Sequence, residues 1–239
     1  LGTVPLGNEN YGVILIQGAQ YNTIGGTAPN AGNLISGNGG DPCLSEQGGN
    51  IIIDGEGTSY NQISGNYIGT DSVGAASLGT AMVGIGIGGG ASHNVVGGTE
   101  SGAANVLGGN AAGVYLSGMG TSANRVSGNF IGTDPSGQQP VPNEIVCLGY
   151  SFGGVGVGIY EGASYNIIGG EETGAGNLIS ANPTGVEIAH QGTAHNQVSG
   201  NYIGTNVDGT VVLGNDVVGI LISSGATDNV VGGNTATTR

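Results

Sequence analysis

Positive charge is the first thing that the sequence lacks. Its 239 residues include no lysine and only two arginines, Arg125 and Arg239, against sixteen acidic residues, so the formal net charge is −14. Such a chain repels the phosphates of nucleic acids and of anionic lipid headgroups. We therefore expect no nucleic-acid partner, and divalent cations are the natural counter-charge.

Long apolar runs are missing as well. No stretch approaches the roughly 18 uninterrupted apolar residues of a membrane-spanning helix, and no basic segment opens the chain as in a secretory signal peptide. We therefore expect no membrane insertion. Cysteine is scarce too, at two residues, and so low a number does not identify the redox compartment.

Glycine, in contrast, is abundant. The 54 glycines represent about three times the usual share of roughly 7%. Collagen is excluded because glycine does not recur at every third position and only 7 prolines are present. A flexible linker is excluded because 37% of the residues are hydrophobic and only 8% are charged, which indicates a chain that can bury a core.

Internal repetition organises the chain. Within each repeat the apolar residues alternate with period two, and none shows the 3.6-residue period of a helix. Each repeat predicts three short strands, as at 186–188, 196–198 and 201–203, so one repeat should form one coil of an all-β solenoid. Seven first-strand segments recur about every 34 residues, at 13–15, 51–53, 85–87, 114–116, 157–159, 186–188 and 220–222.

Asparagine recurs at the same phase of every repeat. Asparagine tolerates the left-handed backbone of a sharp corner, and its side-chain amides can hydrogen-bond from coil to coil, so these columns predict asparagine ladders. The first column is Asn22, Asn61, Asn94, Asn124, Asn166, Asn196 and Asn229. The second is Asn33, Asn66, Asn105, Asn129, Asn177 and Asn201, and the third is predicted as Asn38, Asp71, Asn110, Asp134, Asn182 and Asn206.

At this point the sequence resembles a known architecture. The pattern Gly-(Ile/Val)-x-Ile…Asn-x-Ile-x-x-Asn-x-Ile-x-x-Asn is similar to the right-handed parallel β-helix repeats of the pectate-lyase-like superfamily, especially NosD-like repeats, also described as carbohydrate-binding and sugar-hydrolase repeats. The resemblance covers essentially the whole chain. It implies one domain over residues 1–239, a single-stranded right-handed parallel β-helix of about seven coils with three short strands each.

The ends of the sequence suggest a longer protein. Leu6-Gly7-Asn8 matches Leu213-Gly214-Asn215, so the chain begins in the middle of the pattern. Solenoids need capping to avoid edge pairing, and neither end of the sequence shows a helix or a polar cap. We therefore expect the chain to be part of a longer repeat array, with neighbouring repeats or copies of itself as partners.

The first strands define the expected core. At the strand spacing of about 4.8 Å, two columns should point inward and form a continuous dry core, one starting at Val13 and the other at Leu15. The two cysteines, Cys43 and Cys147, lie about three coils apart, or roughly 14 Å. A disulfide requires their loops to reach toward each other, and two separate thiols are the alternative.

The outward face of the first strands is where the resemblance implies catalysis. Its polar residues converge on repeats four to six, where Tyr115, Tyr160, Glu161, Glu187 and His190 lie. These groups could perform acid/base chemistry on a sugar, or they could form an ordinary solvated face. A β-eliminating lyase also needs a cation to stabilise its enolate, and the one internal arginine, on another face, does not supply it.

An aromatic stripe and three acidic loops complete the candidate sites. Tyr67, Phe130 and Tyr202 occupy the third strand of every second repeat, where they could stack on a glycan, pack under the following loop or form a subunit interface. Tryptophan, the usual sugar platform, is absent. Asp71, Asp134 and Asp208 begin or occupy the even-repeat loops, where weak Ca²⁺ binding or simple turn formation is expected.

These observations leave two functions open. The first is an extracellular structural or adhesive segment of a larger cell-surface, secreted or fibre-forming protein, because nearly all the regularity builds the coil. The alternative is a polysaccharide-active enzyme or a glycan-binding domain on the same fold. Polysaccharide or a cell-surface molecule is the expected partner, and Ca²⁺ is the one cofactor that the residues allow.

Overall fold

The computed structural model describes residues 6–39, 48–79, 81–144, 146–147, 150–151 and 153–233, with the backbone alone at 146–147 and 150–151. The predicted pairing of Cys43 with Cys147 therefore lies outside the described residues. Within them every regular element is a β-strand. No helix in this part of the chain is long and apolar enough to cross a membrane.

Each coil contributes a first, second and third strand. Coil 1 contains β1 (Tyr11–Leu15), β2 (Thr23–Gly25) and β3 (Leu34–Ile35), and coil 2 contains β4 (Gly49–Asp54), β5 (Gln62–Ser64) and β6 (Tyr67–Ile68). Coil 3 contains β7 (Ala81–Gly88), β8 (Val95–Gly97) and β9 (Val106–Leu107), and coil 4 contains β10 (Asn110–Ser117), β11 (Arg125–Ser127) and β12 (Phe130–Ile131). A short antiparallel hairpin, β13 (Val146–Cys147) and β14 (Tyr150–Ser151), precedes coil 5. Coil 5 contains β15 (Val155–Tyr160), β16 (Ile167–Gly169) and β17 (Leu178–Ile179), coil 6 contains β18 (Thr184–Ile188), β19 (Gln197–Ser199) and β20 (Tyr202–Ile203), and coil 7 contains β21 (Val218–Ile222) and β22 (Val230–Val231).

Three parallel sheets result from stacking these coils. The first strands pair in the order β1-β4-β7-β10-β15-β18-β21, which we call sheet 1. The second strands form sheet 2 in the order β2-β5-β8-β11-β16-β19-β22, and the third strands form the six-stranded sheet 3. The fold is therefore a parallel β-helix, as the sequence predicted.

The strand register fixes the core. Val13 pairs with Ile51, Ile51 pairs with Ile85, and the column continues through every first strand to Ile220. The column from Leu15 to Ile222 runs beside it in the same register. In coils 2 to 6 both columns are buried, so the predicted inward columns are confirmed.

Two asparagine ladders hold the corners of the coils. In the first ladder each asparagine donates its backbone N–H and its side-chain Nδ2 to the same Oδ1 of the asparagine in the next coil; from Asn94 to Asn124 these distances are 2.9 and 3.1 Å. The second ladder repeats this geometry, for example from Asn105 to Asn129. The predicted asparagine ladders are therefore confirmed, and the hydrogen bonds from one ladder asparagine to another all run in one direction, toward the following coil.

The third ladder differs from its prediction. The hydrogen bonds run through Asn8, Asn38, Asn50, Asn110, Asn143, Asn182 and Asn215. The predicted members Asp71, Asp134 and Asn206 instead accept hydrogen bonds from backbone N–H groups of their own loops. Assigning them to the ladder was wrong, because the even-coil loops intervene before the ladder residue.

Asn50 has a special place in this third ladder. In the sequence, the position of coil 2 that corresponds to Asn143 and Asn215 carries Thr80. Asn50, from β4, accepts a hydrogen bond from Asn38 and donates one to Asn110 at 2.8 Å. An asparagine from inside a first strand thus keeps the ladder continuous.

Candidate functional site

The outward face of sheet 1 brings several of the predicted site residues together. The parallel register places Tyr115 beside Gly158, and Gly158 beside Glu187, on three successive strands. Two residues further along β10 and β15, Ser117 pairs with Tyr160. Because side chains alternate across a strand, the side chains of these residues, Gly158 having none, all point away from the core.

Gly158 makes room for an aromatic ring. A Cβ at this position would collide with the ring of Tyr160, which lies across the glycine and back toward the neighbouring strands. The Tyr160 ring contacts the Tyr115 ring at a centroid distance of 5.0 Å and the His190 ring at 5.6 Å. Three rings from coils 4, 5 and 6 therefore form a continuous aromatic surface on sheet 1.

Two hydrogen bonds connect this surface to carboxylates. The Tyr160 hydroxyl donates to Glu187 Oε2 at 2.9 Å, and the Ser117 hydroxyl donates to Glu161 Oε2 at 2.8 Å. Each carboxylate keeps further lone pairs that can accept hydrogen bonds from a ligand. We call Tyr115, Tyr160, Glu161, Glu187 and His190, the residues that the sequence predicted, the sheet 1 cluster.

Both tyrosines of the sheet 1 cluster hold their protons firmly. Burial raises the pKa of Tyr160, and the hydrogen bond to Glu187 and the charge of this carboxylate raise it further. Burial also raises the pKa of Tyr115, and the negative charges of Glu161 and Glu187 act in the same direction. At neutral pH both side chains are therefore hydrogen-bond donors, and neither can act as a general base.

A groove runs along sheet 1 past this cluster. One cavity of about 730 Å³ extends over coils 1 to 5, with Ile14, Ile16 and Ile52 among its apolar lining residues and Asp54, Ser117 and Glu161 among its polar ones. A second cavity of about 420 Å³ includes Tyr160, Thr184 and Glu187. Met82, Val83 and Tyr115 line both cavities. The two cavities thus meet in one groove, which is mostly apolar and carries the carboxyl groups of Asp54, Glu161 and Glu187 along its length.

The aromatic stripe on sheet 3 lies under loops. The loops at 71–78, 134–141 and 206–213 follow the third strands of the even coils and fold back across the rings. A Cβ at Gly74 would come within 2.8 Å of the Tyr67 ring, and one at Gly137 within 3.2 Å of the Phe130 ring. At Gly209 the corresponding distance to the Tyr202 ring is 3.3 Å. The rings therefore support these loops and offer only part of their surface to a ligand.

The acidic side chains of these loops are used in the loops themselves. Asp71 Oδ1 accepts a hydrogen bond from the Ala75 N–H at 2.8 Å, and Asp208 accepts one from Gln138 at 3.0 Å. Partial burial raises the pKa of Asp134, but hydrogen bonds from Ser136 and from backbone N–H groups outweigh this effect and lower the pKa below its usual value. Among the described residues no three His, Cys, Asp or Glu side chains cluster so as to hold a metal ion. The loop geometry therefore fits turn formation better than a Ca²⁺ site.

Several residues of the groove were not identified from the sequence. Met82 and Val83 lie near the start of β7, ahead of the apolar triplet that defines the repeat, so the pattern gave no reason to select them.

The sequence also left members of the third ladder unidentified. Asn50 was missed as a ladder residue because it lies within a strand. Asn143 and Asn215 had a detectable signal, since each precedes the apolar triplet of the next repeat, as Asn38 and Asn110 do.

Comparison with known protein families, with curated proteins and with solved structures found no match to this chain.

Proposed function

We propose that the chain is a rigid, extracellular β-helical segment of a structural or adhesive protein, and that its sheet 1 groove binds a neutral polysaccharide. The observation that carries this proposal is the sheet 1 cluster, in which adjoining aromatic rings lie beside carboxylates in a long groove. Membership of the pectate-lyase-like superfamily, which the repeats resemble, is part of the same proposal.

The scaffold suits a mechanical role. Most interior asparagines of the ladders donate both a backbone and a side-chain hydrogen bond to the next coil, and the core columns pass through every coil without interruption. Such a rod keeps residues of adjacent coils at a fixed spacing of about 4.8 Å. A linear polymer lying along the groove would therefore meet a preformed surface and not a flexible one.

The chemistry of the cluster favours neutral sugars. The faces of Tyr115 and Tyr160 can pack against the C–H face of a pyranose ring, and the free lone pairs of Glu161 and Glu187 can accept hydrogen bonds from sugar hydroxyls. The formal charge of −14 disfavours polyuronates and sulfated glycans, because these carry the same sign. The expected ligand is therefore an uncharged hexose polymer.

Binding can be tested with matched oligosaccharides. Isothermal titration with gluco-, manno- and galacto-oligosaccharides should detect binding of at least one neutral series, with none for oligogalacturonate. Tyr115→Ala should weaken binding about tenfold through lost ring contact, while Tyr21→Ala, which removes an exposed ring at another corner, should leave binding unchanged. Failure of every neutral series to bind, or equal effects of the two variants, would contradict the proposal.

An enzymatic role is the second candidate. Glu187 is a carboxylate of the kind that serves as a general base or nucleophile in the cleavage of a glycosidic bond, and the hydrogen bond from Tyr160 positions it on the open face of sheet 1. Products released from a bound oligosaccharide by the native chain, and lost in Glu187→Gln, would establish it. Binding without any product would support the adhesive role.

Assembly into longer arrays also belongs to the proposal. Neighbouring repeats or further copies of the chain would continue the three sheets, since parallel strands pair edge to edge. Electron microscopy of the purified chain should show rods whose length is a multiple of one unit. Only isolated particles of a single unit would argue against self-assembly.

A further inference from the structure

A second aromatic column follows the corner between sheets 1 and 2. It holds Tyr21, Tyr60, His93, Ala123, Tyr165, His195 and Asp228, one residue from each coil. All seven have a left-handed backbone, with φ between 55° and 59°. Because the backbone conformation is the same in every coil, the Cα–Cβ bonds point in the same outward direction.

The rings in this column form two stacks. Tyr21 and Tyr60 lie with centroids 5.2 Å apart and an interplanar angle of 6°, and Tyr60 and His93 follow at 5.0 Å. Tyr165 and His195 form the second stack at 4.8 Å. These distances match the coil repeat of about 4.8 Å, so each coil contributes one ring.

Ala123 interrupts the column in coil 4. The backbone there stays in register, because Ser122 forms parallel bridges with Ser92 and with Ser164, and the His93 N–H donates to Ser122 O at 3.2 Å. His93 and Tyr165 are therefore two coil repeats apart, about 9.6 Å. One rung of the ring stack is missing while the coils on both sides keep their spacing.

We propose that this gap, the Ala123 slot, binds a single planar aromatic ring. The exposed Ala123 methyl group forms its floor, and the faces of His93 and Tyr165 form its walls. An aromatic ring in the slot would contact one face on each side at the spacing that the column already shows. A saturated ring has no π face to stack against His93 and Tyr165, so the slot favours planar aromatic groups.

The Ala123 slot is open to solvent on its outer side, so its affinity should be modest. Two ring contacts and partial burial correspond to a Kd on the order of 1 mM. The ring can be supplied by a free phenol or by the tyrosine side chain of a partner, and these share the same chemistry. None of His93, Ala123 and Tyr165 lines the sheet 1 groove, and the proposal does not depend on glycan binding.

Nuclear magnetic resonance provides the test. With the alanine methyl groups labelled, titration with phenol should move the Ala123 signal in a saturable way, and cyclohexanol should bind at least about tenfold more weakly. N-acetyltyrosinamide serves as the second probe. Saturable binding of both aromatic probes indicates a slot that accepts a partner's side chain, and binding of phenol alone indicates a slot for small molecules.

Variants separate the slot from general surface binding. Ala123→Tyr fills the gap with a tyrosine, a residue that Tyr60 and Tyr165 already show to be compatible with this backbone. Phenol should then no longer shift the resonances of His93. His93→Ala removes one wall and should weaken binding, whereas Asp228→Ala alters the same column elsewhere and should have no effect. Absence of saturable binding in the native chain, undiminished binding in Ala123→Tyr, or equal affinity for cyclohexanol would overturn the proposal.

Discussion

Removing one interior rung of an asparagine ladder tests how much the ladders stabilise the coil. Asn129 is buried, and its Nδ2 donates to Asn177 Oδ1, Val96 O and Ser127 O, each at 3.0 Å. Its Oδ1 accepts from the backbone N–H and the Nδ2 of Asn105. Replacement by alanine removes these five hydrogen bonds and leaves the Asn105 N–H buried without its acceptor.

The expected loss follows from these bonds. At a net value of about 1 kcal/mol per hydrogen bond, with an added penalty for the orphaned N–H and some relief from repacking, Asn129→Ala should lower the free energy of unfolding by about 4 kcal/mol. In urea this corresponds to a midpoint lowered by about 1 M. Equilibrium unfolding followed by circular dichroism measures it, and hydrogen exchange should show faster exchange at the Asn105 amide.

Asn22→Ala is the matched control. Asn22 lies at the exposed end of its ladder, where its Nδ2 donates to Asn61 Oδ1 and Gln20 O. The same substitution should therefore cost less than about 1 kcal/mol. If Asn129→Ala and Asn22→Ala gave the same midpoint, or if the Asn105 amide kept its protection, the reasoning that ladder bonds stabilise the coil would be refuted.

Three further predictions concern other contacts. Because the pKa of Tyr160 is raised in the folded chain, the folded chain keeps a proton that the unfolded chain releases at alkaline pH. The free energy of unfolding should therefore fall as the pH rises above about 10. Tyr160→Phe should reduce this fall, as measured by urea unfolding between neutral and alkaline pH. Phe130→Ala should lower the free energy of unfolding by about 2 kcal/mol, because the ring is half-buried under its loop, and should leave oligosaccharide affinity unchanged; a selective loss of affinity would instead assign the ring to ligand binding. Arg125→Ala breaks an exposed pair with Glu172 at 3.4 Å and should change stability by less than about 0.5 kcal/mol, so a larger change in the unfolding midpoint would contradict the weak pairing.

The core and two ladders were predictable because they rest on local pattern. Alternation with period two identifies which side of a strand is buried, and the column starting at Val13 follows directly from it. Asn94 and Asn124 could be aligned because they occupy similar contexts, each preceding a short second strand. These features repeat in every coil, so each repeat supports the assignment of the others.

The third ladder was only partly predictable because loop length varies between coils. After a third strand of an even coil, the next aligned polar residue is Asp134 or its equivalent, yet this residue closes the loop with hydrogen bonds from Gln138 and Gln139. The ladder residue, Asn143, comes only after the loop. Sequence spacing alone does not distinguish a side chain that bonds its own loop from one that bonds the next coil.

The sheet 1 cluster could likewise be predicted from the sequence only in part. Period two correctly assigns Tyr115, Tyr160 and Glu187 to the outward face. It does not indicate that the Tyr160 ring lies over Gly158 and reaches Glu187, because this depends on a missing Cβ and a rotamer. The groove beside the cluster includes Met82 for a comparable reason, since β7 extends beyond the segment that the repeat defines.

The common direction of the ladder hydrogen bonds has an electrical consequence. The side-chain amides at Asn94, Asn124 and Asn166 all place Oδ1 toward the preceding coil and Nδ2 toward the following coil. Backbone groups of parallel strands alternate in direction and largely cancel, but these side-chain dipoles add along the axis. The rod should therefore carry a permanent dipole moment and align in an electric field, with the carbonyl ends of its ladders, on the coil 1 side, as the negative pole.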